Sequence, residues 1–343
     1  MRPIRARRAR PTASRKAEPA HTHRQILPPC PRRSRAGAQG RLVSRHRGRR
    51  GSAPVDFILQ QVITGLSIGS ILLLVALGLA IIYGSMGVIN MAHGEFVMLG
   101  AYGAWALNSV FGLDLLSSLV FIFLGVGAFG WATERGVIRF LYARPLDTLL
   151  ATWGIGVVLQ QVIRLSAGGE LRYVGMPEIF SDTVSILGVS VPSYRVFIFV
   201  FVAALFAATW ALMFRTSFGT RLRAVVQDRN TAMCFGVNAD KVYSLTFAYG
   251  AGLAGLAGAL VAPLKSVSPE MGGAYVVDAF FVVVLGGVQS LFGTVASAAL
   301  LGQMSGVLAY VSNDTIAKAL VLLAIIVLIR FRPQGLFVTK VRS

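Results

Sequence analysis

The sequence predicts an all-α protein, a polytopic transmembrane helical bundle with about eight or nine membrane segments, and three observations support this fold class. Of the 343 residues, 55% are hydrophobic and 14% are charged, whereas soluble domains carry about 25% charged residues. Apolar runs recur along the chain at close to the ~20 residues that a helix needs to cross a bilayer. Some runs are short or interrupted by glycine, which is typical of broken helices and half-helices.

The apolar runs predict the individual membrane segments. We expect a first span at Phe57–Tyr83, followed by a break over residues 84–95 that glycine and polar residues favour. The remaining predicted segments are Phe96–Val110, Leu115–Trp131, Leu149–Leu165, Val196–Phe214, Val242–Leu260, Tyr275–Val288, Thr294–Val311 and Ile316–Phe331. The segment at Tyr275–Val288 is short for a full crossing and favours a half-helix.

The basic character of the chain belongs to its N-terminus. Residues 1–54 hold sixteen Lys and Arg residues and a single acid, Glu18, whereas residues 55–343 are nearly neutral at +4 out of the total net charge of +19. We therefore expect no nucleic-acid partner for the folded part. The tail lacks apolar periodicity and is expected to be disordered. A mis-assigned translation start is our preferred explanation; an organellar transit peptide, or a basic arm that binds a membrane surface or RNA, is the alternative.

Basic residues also predict the orientation in the membrane. The positive-inside rule places the Arg135–Arg144 loop, the loop 215–241 and the C-terminal Arg330, Arg332, Lys340 and Arg342 in the cytoplasm, and the acidic loop 166–193 outside. If residues 84–110 cross fully, residue 57 lies outside. A tail of +15 on that side would violate the rule, so either the tail is absent from the native protein, which we prefer, or the broken segment re-enters the membrane.

Polar residues lie where an apolar chain has least reason to place them, in the stretch SMGVINMAHGEFVMLGAY, residues 85–102. Ionisable residues within a membrane segment are costly and indicate function. Two interpretations stay open for Asn90, His93 and Glu95. They form a hydrogen-bonded cluster that holds the break, with Glu95 accepting from freed backbone N–H groups, or they line a substrate path. Their donors and acceptors match a small polar solute such as urea.

Asp278 and the two cysteines also have expected roles. Asp278 is expected to cap the N-terminus of the short apolar helix, and a place on the substrate path is the alternative. Cys30 and Cys234 give no disulfide framework and no metal spacing, and we expect Cys234 to be buried or inert.

No metal site, no cofactor and no catalytic constellation is expected. The phosphate-binding pattern G-x-x-x-x-G-K-[ST] is absent from the sequence, so ATP hydrolysis would need another chain.

The loop 215–241 is the longest charged interior loop. We expect helix between Thr220 and Cys234, ended by Gly236 with Asn238. From the residues alone, this Arg-rich loop either fixes the topology or binds a partner protein.

A family resemblance is found in GLSIGSILLLVALGLAIIYGSMGVINMAHGEFVMLGAY, residues 65–102, and in RPLDTLLATWG, residues 144–154. These segments resemble the branched-chain amino-acid type of ABC-transporter permease, and are more similar to the urea permease B subunits of that family. The resemblance runs from about Asp56 to the C-terminus. It implies a multi-pass protein of the bacterial inner membrane that works by alternating access and moves urea or a short amide, or alternatively a branched-chain amino acid.

The resemblance also implies partners. These are a second homologous permease, two ABC ATPase subunits and an extracytoplasmic solute-binding protein, beside the lipid bilayer itself. The loop 215–241 then docks on an ATPase subunit through Arg221, Arg223, Gln227, Asp228 and Arg229, with Gly236 at the end of the docking element. An autonomous secondary transporter or channel is the remaining alternative, and it would work without ATP.

Overall fold

The computed structural model describes residues 54–142, 144–186, 189–288, 290–331 and residue 335. These residues lie in the second of two units, Ser52–Ser343. Apart from Pro54, the predicted disordered tail lies outside the described residues, as do Arg332, Lys340 and Arg342 of the C-terminus. The expectations for those residues therefore stay predictions.

Helices account for most of the described chain, which confirms the all-α class. They are α1 (Pro54–Met86), α2 (His93–Phe111), α3 (Leu115–Gly136), α4 (Pro145–Ala167), α5 (Ser193–Arg215), α6 (Ser217–Gln227), α7 (Arg229–Cys234), α8 (Ala239–Val261), α9 (Met271–Gly286), α10 (Leu291–Val311) and α11 (Asp314–Phe331). Two short 3-10 helices lie at Ile138–Leu141 and Glu178–Phe180.

Within the described residues, six helices are long and apolar enough to cross a membrane, namely α1, α3, α4, α5, α8 and α10. The apolar helix α9 and the segment Thr315–Leu328 of α11 are shorter. Together with α2, which continues from the break after α1, these helices confirm the predicted eight or nine membrane segments.

The loop 166–193 contains a β-hairpin that the sequence analysis did not predict. Strands β1 (Thr183–Ile186) and β2 (Val189–Pro192) pair antiparallel, with Val184 opposite Val191. Earlier in the loop, Arg172 exchanges two backbone hydrogen bonds with Val267, at 2.9 and 2.8 Å. These bonds join the loop to the segment after α8, so it is structured on the surface of the bundle.

Helix α8 forms the centre of the bundle. It is buried along nearly its whole length, from Ala239 to Val261. Its glycines bring neighbouring backbones into contact, because a Cβ at Gly258 would overlap the carbonyl oxygen of Val97 in α2, and one at Gly255 would press on Val126 in α3. This is the small-residue packing that drives helix association in lipid.

Helices α1 and α10 pack in the same way. A Cβ at Gly302 of α10 would lie about 2.5 Å from the backbone of Gly69 in α1. The outer helices α3, α4, α5, α10 and α11 expose large apolar side chains, such as Leu124 and Val200. A soluble protein rarely exposes so much apolar surface, whereas lipid solvates it without cost.

Candidate functional site

The polypeptide leaves helix between α1 and α2, inside the bundle. Helix α1 ends at Met86 and α2 begins at His93, so the break is shorter than the predicted span of residues 84–95. Gly87 adopts a φ of 65°, in the left-handed region that favours glycine. The chain can therefore turn at Gly87 without strain and run to the start of α2.

Backbone N–H groups freed at the break are satisfied by two side chains. The Oδ1 of Asn90 accepts from the Ala92 amide at 3.0 Å, and the Oγ1 of Thr152 in α4 accepts from the Met91 amide at 3.1 Å. The expectation that Glu95 serves as this acceptor was wrong. The Glu95 side chain begins two residues into α2 and is directed to α4 instead, while Asn90 lies close enough to bond its own chain.

His93 is fully buried, with 0% of its surface exposed, between α1 and the start of α2. Its Nε2 lies 3.0 Å from the carbonyl oxygen of Val75. That carbonyl belongs to the middle of α1, so His93 donates to a helix backbone group and ties the first turn of α2 to the preceding helix.

Glu95 contacts a polar stripe on α4 that consists of Thr152, Gly156 and Gln160. Gln160 Nε2 donates to Glu95 Oε1 at 2.8 Å, and the Glu95 Cγ lies 3.3 Å from where a Cβ would stand on Gly156. The four-residue spacing puts the stripe on one face of the helix. These partners of Glu95 were not predicted from the sequence. Three small or polar residues at four-residue spacing in an apolar segment could have indicated a polar face on this helix.

The cluster at the break leaves some polar atoms without partners. Among the described residues, no hydrogen bond reaches Asn90 Nδ2, His93 Nδ1 or Glu95 Oε2, and all three atoms are buried. A Cβ on Gly272, in the first turn of α9, would lie 2.8 Å from Glu95 Oε2. The cluster is thus enclosed by packed helices.

A cavity of about 740 Å³ lies elsewhere in the bundle, between α1, α5, α9, α10, α11 and the segment after α8. This size is within the range of small-molecule sites. Its walls are largely aliphatic, and its charged lining residues are Arg195, Lys265, Asp278 and Lys318. Arg195 and Lys318 lie near the starts of α5 and α11, and Lys265 follows α8, so the positive-inside orientation places this part of the cavity toward the extracytoplasmic side.

Asp278 belongs to this cavity and does not cap a helix. Helix α9 begins at Met271, seven residues earlier than Asp278, and its N-cap is Glu270. The predicted cap was wrong because the helix begins before the predicted segment start at Tyr275. Glycines 272 and 273 are helical here, and Gly272 allows contact with the Gly94 carbonyl. Asp278 is half-buried in the middle of α9 and faces the cavity.

The structure therefore divides the four predicted pathway residues. Asn90, His93 and Glu95 lie together at the helix break, and none of them lines the cavity that Asp278 lines. The first turn of α9 stands between the two regions, since Gly272 faces Glu95 and Met271 lines the cavity. Arg195, Lys265 and Lys318 were not predicted as site residues.

The predicted docking loop is two helices joined at Asp228. The Asp228 Oδ1 caps α7 by accepting from the amides of Asn230 at 2.9 Å and Thr231 at 3.2 Å. Hydrogen bonds from Thr231 hold the pKa of the Asp228 carboxyl below its usual range. Gly236, with a φ of 81°, and Asn238 follow α7, where the helix was predicted to end. The Asn238 side chain also caps α8, which was not predicted.

Two of the predicted docking arginines bind within the chain. Arg223 donates to the carbonyl oxygen of Met213 and lies over the ring of Phe214, both in α5. Arg229 pairs with Asp240 at 2.8 Å. Asp240 also accepts from Arg139 at 2.7 Å, so one carboxylate at the start of α8 joins α7 to the loop after α3.

A buried carboxylate lies beside this junction. Glu134, with 0% of its surface exposed, accepts from the hydroxyl groups of Tyr142 and Ser244. Burial and the neighbouring Glu134 raise the pKa of Tyr142, so its hydroxyl stays a donor. The C-terminal end of α3 and the N-terminal part of α8 are thereby fixed to each other.

Other residues of the docking element face outward. Arg221 and Gln227 are exposed, and within the described chain no hydrogen bond or ion pair engages their side chains. Met233 and Phe235 are 45% and 83% exposed. Cys234 is exposed too, so of the two expectations for it, a buried or an inert thiol, the first is wrong. In the described part of the chain, no group of three or more His, Cys, Asp or Glu side chains is arranged to hold a metal.

Comparison with known proteins identifies the family. A family model described as "Branched-chain amino acid transport system / permease component" matches residues 61–330. The high-affinity branched-chain amino acid transport system permease protein BraD of Pseudomonas aeruginosa is 30% identical over 292 residues, covering 81% of this chain and 95% of that protein. No solved structure matches the chain.

Two further relatives are permeases of the same kind. LivH of Escherichia coli K12 is 29% identical and covers 79% of this chain and 94% of LivH. LivM of Salmonella typhimurium is 28% identical and covers 78% of this chain and 67% of LivM. All three relatives are permease proteins of high-affinity branched-chain amino acid transport systems. This multi-pass inner-membrane protein thus belongs to the family of branched-chain amino acid ABC transport permeases.

Proposed function

We propose that the chain is the membrane-spanning subunit of an ATP-driven importer that moves branched-chain amino acids by alternating access. The relatives named above carry this substrate in their names, and they favour it over the urea or short amide expected from the sequence. The structural observation that supports the proposal is the cavity wall. Urea has no apolar part to bury, whereas Ile71, Leu72, Leu264, Leu301, Leu322 and Ile325 offer an aliphatic surface.

Uptake by intact cells tests the substrate. A strain lacking this gene is compared with the same strain carrying the wild-type gene, using radiolabelled leucine and radiolabelled urea in separate assays. We expect leucine uptake to fall in the deletion strain and to recover on complementation, with urea uptake unchanged. Loss of urea uptake with intact leucine uptake would reverse the proposal.

Energy is proposed to come from partner subunits. The complex would contain a second, related permease, two ABC ATPase subunits and an extracytoplasmic solute-binding protein. Both LivH-type and LivM-type permeases are among the relatives, which supports a pair of related permeases. An autonomous secondary transporter or channel would move leucine in proteoliposomes without ATP, and that result would contradict the need for a motor.

Helices α6 and α7 are proposed to dock on an ATPase subunit. They combine an exposed cation, Arg221, with the exposed apolar side chains of Met233 and Phe235, a composition suited to a helix-in-groove contact. Arg223 is a weaker candidate for direct contact, because its guanidinium already binds the end of α5. Charge reversal at Arg221 is therefore a cleaner test than charge reversal at Arg223.

The test of docking uses Arg221→Glu in the complete transporter. We expect ATP hydrolysis to lose its stimulation by substrate-loaded binding protein, and co-purification of the ATPase to weaken. Arg330→Glu is the matched control, since Arg330 at the end of α11 is also exposed and, within the described residues, its side chain has no hydrogen bond or ion pair. Equal behaviour of the two variants would argue against docking through α6.

A further inference from the structure

Charged groups in the cavity stand apart from one another. Asp278 comes from α9, Lys265 from the segment after α8 and Lys318 from α11. Both lysines line the same cavity as Asp278, yet within the described residues neither forms an ion pair with it. Arg195, the fourth charged lining residue, donates to Thr64 Oγ1 at 3.1 Å and is thereby held against α1.

Opposite charges in an apolar cavity normally close to contact, because a carboxylate without a partner is costly to remove from water. Here the half-buried carboxylate of Asp278 and the exposed ammonium groups of Lys265 and Lys318 border one space that is large enough for a small molecule. A ligand that carries both signs of charge satisfies them together. A neutral ligand such as urea would leave the half-buried carboxylate of Asp278 without a cationic partner.

We propose that Asp278 binds the α-ammonium group of an amino acid, that Lys265 and Lys318 bind its α-carboxylate, and that its aliphatic side chain lies on the apolar wall. This assignment rests on the proposed function and deepens it, since it gives the permease its own selectivity for a zwitterion. The binding protein then delivers a ligand that the membrane subunit recognises again.

The position of the cavity is consistent with this role. Asp278 lies about 10 Å along α9 from its start, at 1.5 Å per residue. Lys318 and Lys265 lie near the extracytoplasmic ends of their elements in the positive-inside orientation. A zwitterion entering from outside would meet the lysines with its carboxylate and reach Asp278 deeper in the bundle with its ammonium group.

Transport by the complete complex tests the assignment. The permeases, ATPases and binding protein are reconstituted in proteoliposomes, with leucine-loaded binding protein at saturation. We expect Asp278→Asn to lower the maximal leucine uptake by about tenfold or more, because a charge-assisted contact is lost. Lys318→Gln should lower it less, since Lys265 remains. The matched control is Asp182→Asn, at an exposed carboxylate of the loop 166–193, and it should transport as the wild type does.

Ligand analogues supply a second measurement that does not depend on any variant. Radiolabelled leucine is equilibrated with the detergent-purified permease–ATPase complex in the absence of binding protein. Unlabelled leucine should displace it, whereas isocaproate, which lacks the ammonium group, and isoamylamine, which lacks the carboxylate, should compete at least tenfold more weakly. If Asp278→Asn does not assemble, this competition and Lys318→Gln decide the question.

The outcomes separate the two proposals. If the wild-type complex moves leucine but Asp278→Asn and Lys318→Gln transport as well as Asp182→Asn, the charged subsite is wrong and the proposed function stands. Equal competition by isocaproate and leucine would also overturn the subsite. If the wild-type complex moves urea and not leucine, the proposed function itself fails.

Discussion

The bundle places polar residues in two surroundings, and the contrast between them separates folding from function. At the helix break, Asn90, His93 and Glu95 are enclosed by packed helices, and most of their contacts are to backbone or to α4. In the cavity, Asp278, Lys265 and Lys318 border open space and have no close partners among the described residues. A polar residue inside a membrane protein therefore indicates a transport site only when space for a ligand lies beside it.

Helices pack more tightly at the centre of the bundle than around the cavity. We therefore expect the largest loss of stability from a substitution at the centre. In Gly258→Ala, the new Cβ would overlap the Val97 carbonyl of α2, so the helices must move apart. We expect a loss of at least about 1–3 kcal/mol of stability, as in other overpacked cores. The melting temperature of the detergent-solubilised protein measures it.

Gly273→Ala is the matched control beside the cavity. A Cβ there meets nothing within 4 Å, and alanine favours helix over glycine by up to about 1 kcal/mol. Its melting temperature should be unchanged or higher. Equal losses in both variants would mean that the two regions do not differ in packing.

Asn90→Ala tests whether the Asn90 side chain stabilises the helix break. Removal of Oδ1 leaves the buried Ala92 amide without its acceptor, so we expect a loss of about 1–2 kcal/mol. Asn108→Ala is the control, since its bond to the Leu113 carbonyl is long, at 3.3 Å, and exposed. Thermal unfolding of both variants in detergent gives the comparison, and an Asn90→Ala protein as stable as wild type would remove the argument that this side chain holds the break.

Glu95→Gln asks whether the cluster at the break also takes part in transport. The amide keeps the length of the side chain and an oxygen that accepts from Gln160. We expect leucine uptake per assembled complex to stay within about twofold of wild type, since no contact with a ligand is lost. If the variant assembles but transports nothing, the cluster at the break lies on the substrate path. The contrast between a structural break and a transport cavity would then be wrong.

The smallest effect that we expect is a local loss of stability in α7 when its solvent-exposed cap, Asp228, is protonated. Asp228 caps α7 as Asn90 satisfies the start of α2, but it is exposed and titratable. Since its pKa is lowered in the folded protein, the cap contributes fully above the ordinary aspartate pKa and is lost as the pH falls through the lowered value. Amide hydrogen exchange in α7 should quicken there relative to its intrinsic rate. Asp228→Asn should remove this pH dependence, and its persistence would assign the effect to another group.

Sequence patterns predicted the membrane segments well because burial in lipid requires long apolar runs. They also located the helix break, through Gly87 and the polar residues that follow it. Asp278 was misassigned because the predicted segment begins at Tyr275, whereas the helix extends back through Gly272, where close packing against Gly94 requires glycine. Local sequence does not reveal which neighbour a glycine accommodates.

The charged cavity could not be predicted from sequence. Arg195, Lys265, Asp278 and Lys318 are spread over more than a hundred residues, and only the packing of α1, α5, α9, α10 and α11 brings them to one space. A weak signal existed, since Arg195, Lys265 and Lys318 are basic residues on the side of the membrane where the positive-inside rule expects few.

Thiol labelling tests the central claim, that the ligand meets the cavity and not the cluster at the helix break. In a complex whose permease carries Cys30→Ser and Cys234→Ser, a single cysteine is placed at the cavity by Ser305→Cys or at the break by Ala92→Cys, which is 0% exposed. A membrane-impermeant thiol reagent is added from the extracytoplasmic side, with and without leucine-loaded binding protein. On this claim we expect labelling at position 305 that leucine slows, and no labelling at position 92. Labelling at 92 that leucine slows, with none at 305, would contradict it.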